Sequence, residues 1–168
     1  MEGGSVDIKK RIKMPTDTEW TEKVKAMQVF KHEDPSPLYE PIHKLGSGGF
    51  AQVFKVKRKV DDSFCALKLM EPRNQKERDM MLNEVALMQA NKGETIVNCI
   101  EAFIFRDRYW IILEIMDSSL TDLLVARNTD YPENFCRYVA LRTLQGLAFL
   151  HDHHVIHRDI KSDNILIN

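Results

Sequence analysis

The sequence predicts an α+β fold on three observations. Short strand-like runs crowd the stretch from Tyr39 to Ile115, one helical stretch interrupts them, and the chain turns helical after Asp117. The strand-like runs are 40–45, 51–58, 63–70, 96–106 and 109–115, with turns at Gly46–Gly49 and Val60–Ser63. The interrupting helix covers about 73–91, and Pro72 suits its first turn. A short helix is predicted at 119–127. A longer one at 133–152 has Phe135, Val139, Leu144, Leu147 and Leu150 near one face.

The first 38 residues have a different texture. Lys9, Lys10, Arg11 and Lys13 form a small basic cluster, read as a solvated tail; docking to acidic lipid or an acidic partner is the alternative. Thr16 and Glu19 stand at capping-box spacing, and Trp20, Val24, Met27 and Phe30 then recur at helical intervals. This predicts an amphipathic helix over 17–32 whose stripe packs on its own domain, with a separate regulatory partner as the other option. Pro35-Ser36-Pro37 ends it as a linker.

A chain of 168 residues, with 43% hydrophobic and 29% charged residues, is enough for one domain with a core. Its net charge of -1 offers no global basic field for nucleic acid. Cys65, Cys99 and Cys136 are odd in number and form no CxxC pair, so neither a disulfide framework nor a zinc site is indicated. The start lacks the apolar run of a signal peptide. The most apolar stretch, Trp110 to Met116, is interrupted by Glu114 and too short to span a bilayer. A soluble cytoplasmic protein without a transmembrane segment is the expectation.

Three sets of residues carry chemistry. The first is the turn Leu45-Gly46-Ser47-Gly48-Gly49-Phe50-Ala51-Gln52-Val53, where glycines admit a ligand close to the backbone and free N–H groups can hold phosphate. A plain hairpin turn explains it about as well. No GK[ST] follows, and a strand rather than a helix comes next, so neither a Walker loop nor a dinucleotide fingerprint is present. The second set is a lysine and a glutamate among apolar residues. Lys68 shares a strand face with Phe64, Ala66 and Met70, and Glu84 is flanked at helical spacing by Met80, Met81, Leu87 and Met88. A largely buried ammonium is costly unless paired, so the two charges are expected to meet. The alternative is that Lys68 snorkels outward and Glu84 sits at a helix border. The third set is His157-Arg158-Asp159-Ile160-Lys161-Ser162-Asp163-Asn164, polar types packed between Val155-Ile156 and Ile165-Leu166.

This last run matches HRDxxxxN completely, and with the other two sets ahead of it in order the chain resembles the eukaryotic-type serine/threonine protein kinases. The turn fits their GxGxxGxV pattern except at the third glycine, which is Ala51; one added methyl is expected to be tolerated. Asn83-Glu84, Ser119-Leu120-Thr121-Asp122 and Ile156 to Leu166 are closest in texture to the sterile-20 and p21-activated group. No small-GTPase-binding motif stands in the first 38 residues.

The resemblance implies a protein-kinase-like fold. It would have an antiparallel five-stranded N-lobe with one helix over 39–113, a hinge at 114–117, and the start of a helical C-lobe over 118–168. It implies ATP and Mg2+ as cofactors and a protein substrate with a Ser/Thr acceptor. By the same resemblance Lys68, paired with Glu84, would hold the α- and β-phosphates, and the Gly-rich turn would cover them. Asp159 would accept the proton of the substrate hydroxyl, Asn164 would hold a metal ion, and Lys161 would contact the γ-phosphate and mark the serine/threonine class. His157 would be structural, and Arg158 would pair with a phosphate on the activation loop. Val53, Ala66 and Leu166 would sandwich adenine, Leu113 would be the gatekeeper, Glu114, Ile115 and Met116 the hinge backbone, and Asp117 a ribose contact. The family's DFG aspartate, activation loop, APE segment and later helices would follow Asn168. The expectation is therefore a fragment of an active kinase, inactive alone, with an uncovered apolar face on the helix at 133–152. A non-catalytic nucleotide- or partner-binding module is the alternative, and an unrelated nucleotide-binding protein is disfavoured by the order of the motifs.

Overall fold

The computed structural model describes residues 28–48, 51–126 and 131–168. Five strands, β1 (Tyr39–Gly48), β2 (Ala51–Arg58), β3 (Phe64–Met70), β4 (Cys99–Phe105) and β5 (Arg108–Glu114), form one sheet in the order β1-β2-β3-β5-β4. Every neighbouring pair is antiparallel. Of the predicted turn at Gly46–Gly49, Gly46, Ser47 and Gly48 instead pair with Val53, Gln52 and Ala51 in the ladder, and Gly49 lies outside the described residues.

Partners facing each other across antiparallel strands share a face. Val53 opposite Lys68, Lys68 opposite Ile111, and Ala66 opposite Leu113 therefore mark one face. Buried Met70, Cys99, Ala102, Tyr109 and Ile111 continue it into a core with Met81, Val85 and Ala86 of a helix. The other face buries Tyr39, Val56, Cys65, Leu67, Phe103 and Ile112. A sheet apolar on both faces is why β3 and β5 read as near-continuous hydrophobic runs.

That helix, α1 (Gln75–Ala90), starts later than predicted. The Asn74 side chain accepts from Glu77 N, and Glu77 Oε2 accepts from Arg73 N, so two free backbone donors are satisfied there and Pro72 lies before the helix. The signal Asn74-x-x-Glu77 was in the sequence; Pro72 drew the boundary away from it. Strand β4 likewise starts three residues after the predicted 96. Asn98 N donates to the Glu114 carboxylate (2.8 Å) instead of to a ladder partner.

The predicted helix over 17–32 is corrected at its end. Residues 28–32 are not helical, and Lys31 forms a parallel bridge with Phe103. Trp20, Val24 and Met27 lie outside the described residues. Phe30 is buried in the sheet–helix core, as its place in the stripe anticipated.

Beyond β5 come a two-residue strand β6 (Ser118–Ser119), α2 (Leu120–Ala126), α3 (Glu133–Asp152), a 3-10 turn over Ser162–Asn164 and β7 (Leu166–Ile167). Along α3, Leu150 is buried and Phe135, Val139 and Leu147 are half-buried, but Leu144 is 63% exposed. The buried stripe instead includes Gly146, where a Cβ would meet Thr95 O at 3.1 Å. No helix among the described residues is long and apolar enough to cross a membrane.

Candidate active site

Lys68 Nζ lies 2.6 Å from Glu84 Oε1, across sixteen residues and between β3 and α1. Neither group is as buried as the sequence suggested: their side chains are 26% and 46% exposed. Met81, Val85 and Ala86 form the buried stripe of α1, Met80 is exposed, and Glu84 sits at the stripe's border. The carboxylate faces Lys68 because the strand holds the ammonium beside that border. A half-solvated pair of this kind avoids the heavy desolvation cost of a buried one and adds little to stability.

On the same face, Val53 and Leu113 are half-buried and Ala66 is buried, a low apolar floor around Lys68. At the strand that would roof it, Gly46 and Gly48 have no atom within 4 Å of an added Cβ. The space there is open, not filled by protein. Leu45 falls at a bulge between Lys44 and Gly46 and is 49% exposed. Gly49 and Phe50 lie outside the described residues, while Ser47 and Ala51 belong to the β1–β2 ladder. A cavity of about 620 Å³ opens beside Ser47, Gly48, Ala51 and Gln52 toward Glu71, Pro72 and Arg73. Neither Lys68 nor Asp159 lines it.

The loop after α3 builds a second cluster. Asn164 Nδ2 donates to both the backbone oxygen and Oδ2 of Asp159, each at 2.8 Å, and Lys161 Nζ stands 3.0 Å from the same Oδ2. The Lys161 and Asn164 hydrogen bonds, in that order, hold the Asp159 carboxyl below the usual carboxylate range. Asp159 N donates to His157 Nδ1 (3.3 Å), a local structural use of the histidine. Arg158 between them has φ 65, a left-handed backbone that turns the chain sharply at this point.

Pairing that the sequence reading did not anticipate fastens this loop to the segment that follows β5. Ser118 pairs with Ile167 and Ser119 with Leu166, Asp117 N donates to Ile167 O (2.9 Å), and Leu120 N to Ile165 O (2.8 Å). Thr121 Oγ1 donates to Ser162 Oγ at 2.8 Å. Two-residue strands carry no periodicity to read, which is why β6 and β7 escape a sequence pattern. The end of β5 is braced from the other side as well. Glu114 Oε1 accepts from Asn98 N and Nδ2, and Asn98 in turn binds Gly93 N and O. The Glu114 side chain is thus committed to the protein. Ile115 and Met116 are half-buried, Asp117 is exposed, and Leu166 is 39% exposed.

The donor set suits a hard divalent cation shared with phosphate. Asn164 hydrogen-bonds through its nitrogen, leaving Oδ1, and the Asp159 carboxylate is adjacent. Among the described residues no three His, Cys, Asp or Glu side chains converge to form an all-protein cage.

Comparison with known proteins agrees with this geometry. The protein kinase domain model matches residues 39–168, and the chain belongs to that family. Relatives include the serine/threonine-protein kinase SMU1 of Mycosarcoma maydis, 34% identical over 98% of this chain and 22% of that protein. STE20 of Kluyveromyces lactis is 37% identical over 86% of this chain and 14% of its own length. PAK 1 of Mus musculus is 36% identical over 95% of this chain and 28% of its own. The chain therefore spans between 14% and 28% of the length of these relatives. Protein kinases as a family use ATP with a divalent metal.

Proposed function

We propose that this chain supplies the nucleotide-binding lobe and catalytic loop of a serine/threonine protein kinase that transfers the γ-phosphoryl group of ATP, with Mg2+, to protein Ser/Thr hydroxyls. The observation that carries the reading is the Lys68–Glu84 pair at 2.6 Å, a cation oriented on an open, low apolar face beneath a glycine-rich strand end.

When bound, MgATP supplies the phosphoryl group and neutralises part of its own charge. Lys68, steadied by Glu84, would hold the α- and β-phosphates. The glycine-rich turn from Gly46 through Ser47, Gly48, Gly49 and Phe50 to Ala51 would supply backbone N–H groups over them, and Gly46 and Gly48 leave room for close approach. Val53, Ala66 and Leu166 would bracket the adenine, Leu45 would border it, Leu113 would set the depth of the pocket, and the backbone of Glu114 and Met116 would pair with the ring edge. Asp117 would serve the ribose. Asp159 would orient and deprotonate the acceptor hydroxyl, Lys161 would face the γ-phosphate, and Asn164 would offer Oδ1 to the metal. Positioning and charge neutralisation are what such a site contributes.

The test is transfer of label from γ-labelled ATP to a Ser/Thr protein acceptor by the full-length protein. Asp159→Asn is expected to lower kcat by about 10²–10⁴-fold, the usual worth of a general base. Lys68→Met should weaken nucleotide handling while leaving the fold intact. Undiminished transfer by Asp159→Asn would sink the reading.

A further inference from the structure

The short segment just ahead of the domain, Val29 to Lys31, is not needed by the site as described, yet it is built into the sheet and the helix that carry it. Lys31 N donates to Ala102 O and Ile104 N donates to Lys31 O, each at 2.9 Å, so the segment hooks onto the free edge of β4. Val29 and Phe30 are 4% and 7% exposed and enter the same core as Met81, Val85 and Ala86, the buried stripe of α1. The Phe30 ring meets Tyr109 edge-on at 5.1 Å. Gln89 of α1 donates to Val29 O at 3.1 Å, a direct tie between the segment and the helix.

Two further groups lock the hook. Lys31 Nζ is 2.5 Å from Glu101 Oε2, and the Tyr39 hydroxyl donates to Glu101 Oε1 at 2.6 Å. Burial pushes the Glu101 carboxyl up, but the Lys31 and Tyr39 hydrogen bonds outweigh it and hold the group below its ordinary value. The Lys31 ammonium also stands over the Phe103 ring at 5.4 Å.

The helix needs this help. Only Met81, Val85 and Ala86 of its sixteen residues are buried, with Leu82 and Met88 partly buried against the same core, and the strand it rests on is β4. A helix with so narrow an apolar stripe owes its place to tertiary packing. Glu84 lies between two of those buried residues, so whatever seats Met81 and Val85 also sets whether its carboxylate reaches Lys68.

We propose that Val29, Phe30 and Lys31 are positioning residues for the Lys68–Glu84 pair: they clasp α1 to β4, and release of the clasp lets Glu84 drift from Lys68. The rate consequences rest on the kinase reading above; the structural consequence does not.

The experiment uses the full-length protein with Phe30→Ala, Phe30→Leu, Lys31→Glu and Glu84→Gln, and the double variant Phe30→Ala/Glu84→Gln. The first readout is amide hydrogen exchange without nucleotide. Phe30→Ala and Lys31→Glu are expected to speed exchange in 78–90 by about tenfold while amides of β2 and β3 keep their rates, the mark of local opening. Equal acceleration across the sheet, or no change in the helix, overturns the proposal. Because the Lys31 side chain is 55% exposed, Lys31→Glu carries this readout if Phe30→Ala does not fold. The second readout is phosphoryl transfer. Phe30→Ala should lower kcat about tenfold in the parent, less than about twofold in the Glu84→Gln background, and Phe30→Leu should restore most of the rate. The same tenfold loss in both backgrounds overturns it. If the parent protein transfers no phosphate, the kinase reading fails and the exchange result alone decides this proposal.

Discussion

At the residue scale the chemistry centres on Asp159. Its carboxyl is held low first by Lys161 and then by Asn164. The sign follows directly: a depressed pKa keeps the carboxylate ionised at lower pH. Whatever Asp159 contributes to stability is present above the unfolded value of about 3.9 and is lost as pH falls through the lowered one. A carbon-detected NMR titration of Asp159 is expected to show a midpoint below that of a free aspartate. In Lys161→Met the midpoint should move up toward about 3.9, because the hydrogen bond and charge of the Lys161 ammonium are gone. An unchanged midpoint would contradict the role given to Lys161. Arg158 shows the other side of the same loop. Its φ of 65 costs roughly 1–3 kcal/mol for a non-glycine residue, a strain tolerated where the surroundings over-determine the turn. The residues of HRDxxxxN were plain in the sequence; that Asn164 Nδ2 would clamp Asp159 twice was not, since spacing does not say which atoms face each other.

At the element scale, boundaries moved wherever a side chain competed with the backbone. Asn74 and Glu77 set the start of α1, and Asn98 delayed β4 by giving its N–H to Glu114. Both are local polar contacts that periodicity ignores. The hairpin between β4 and β5 turns through Arg106 and Asp107, with φ of 50 and 60. Two positive φ values in a two-residue loop suit Asn-Gly far better than Arg-Asp. Asp107→Gly removes left-handed strain of about 1–2 kcal/mol and adds roughly 0.5–1 kcal/mol of unfolded-state entropy cost, so a net gain is expected. The ion pair it forfeits, Arg78 to Asp107 at 3.7 Å, is exposed and contributes little. The measurement is the urea midpoint, which should rise at constant m.

At the scale of the whole molecule, α3 carries two apolar stripes. One runs through half-buried Val139 to buried Gly146 and Leu150; the other shows Tyr138, Leu141 and Leu144 at 61%, 55% and 63% exposure. The 168-residue chain is therefore expected to self-associate and to bind an apolar dye. Leu141→Gln with Leu144→Gln should suppress both without shifting the unfolding midpoint of the sheet, as light scattering and dye fluorescence would report. A drop in that midpoint would show the second stripe to be packed after all.

By itself the sequence determined the family and the α+β order and nominated the groups of the candidate site, because these depend on residue type and short-range spacing. Tertiary structure alone decided three things. Glu84 reaches Lys68 from the border of its helix, the loop carrying Asp159 is stitched by β7 to β6 just past β5, and Val29 to Lys31 leave the helical pattern to join β4. Each is a contact between segments far apart in the chain. Such contacts form only when burial and hydrogen bonding on one element offset the cost of ordering another, and periodicity within either segment holds no record of that balance.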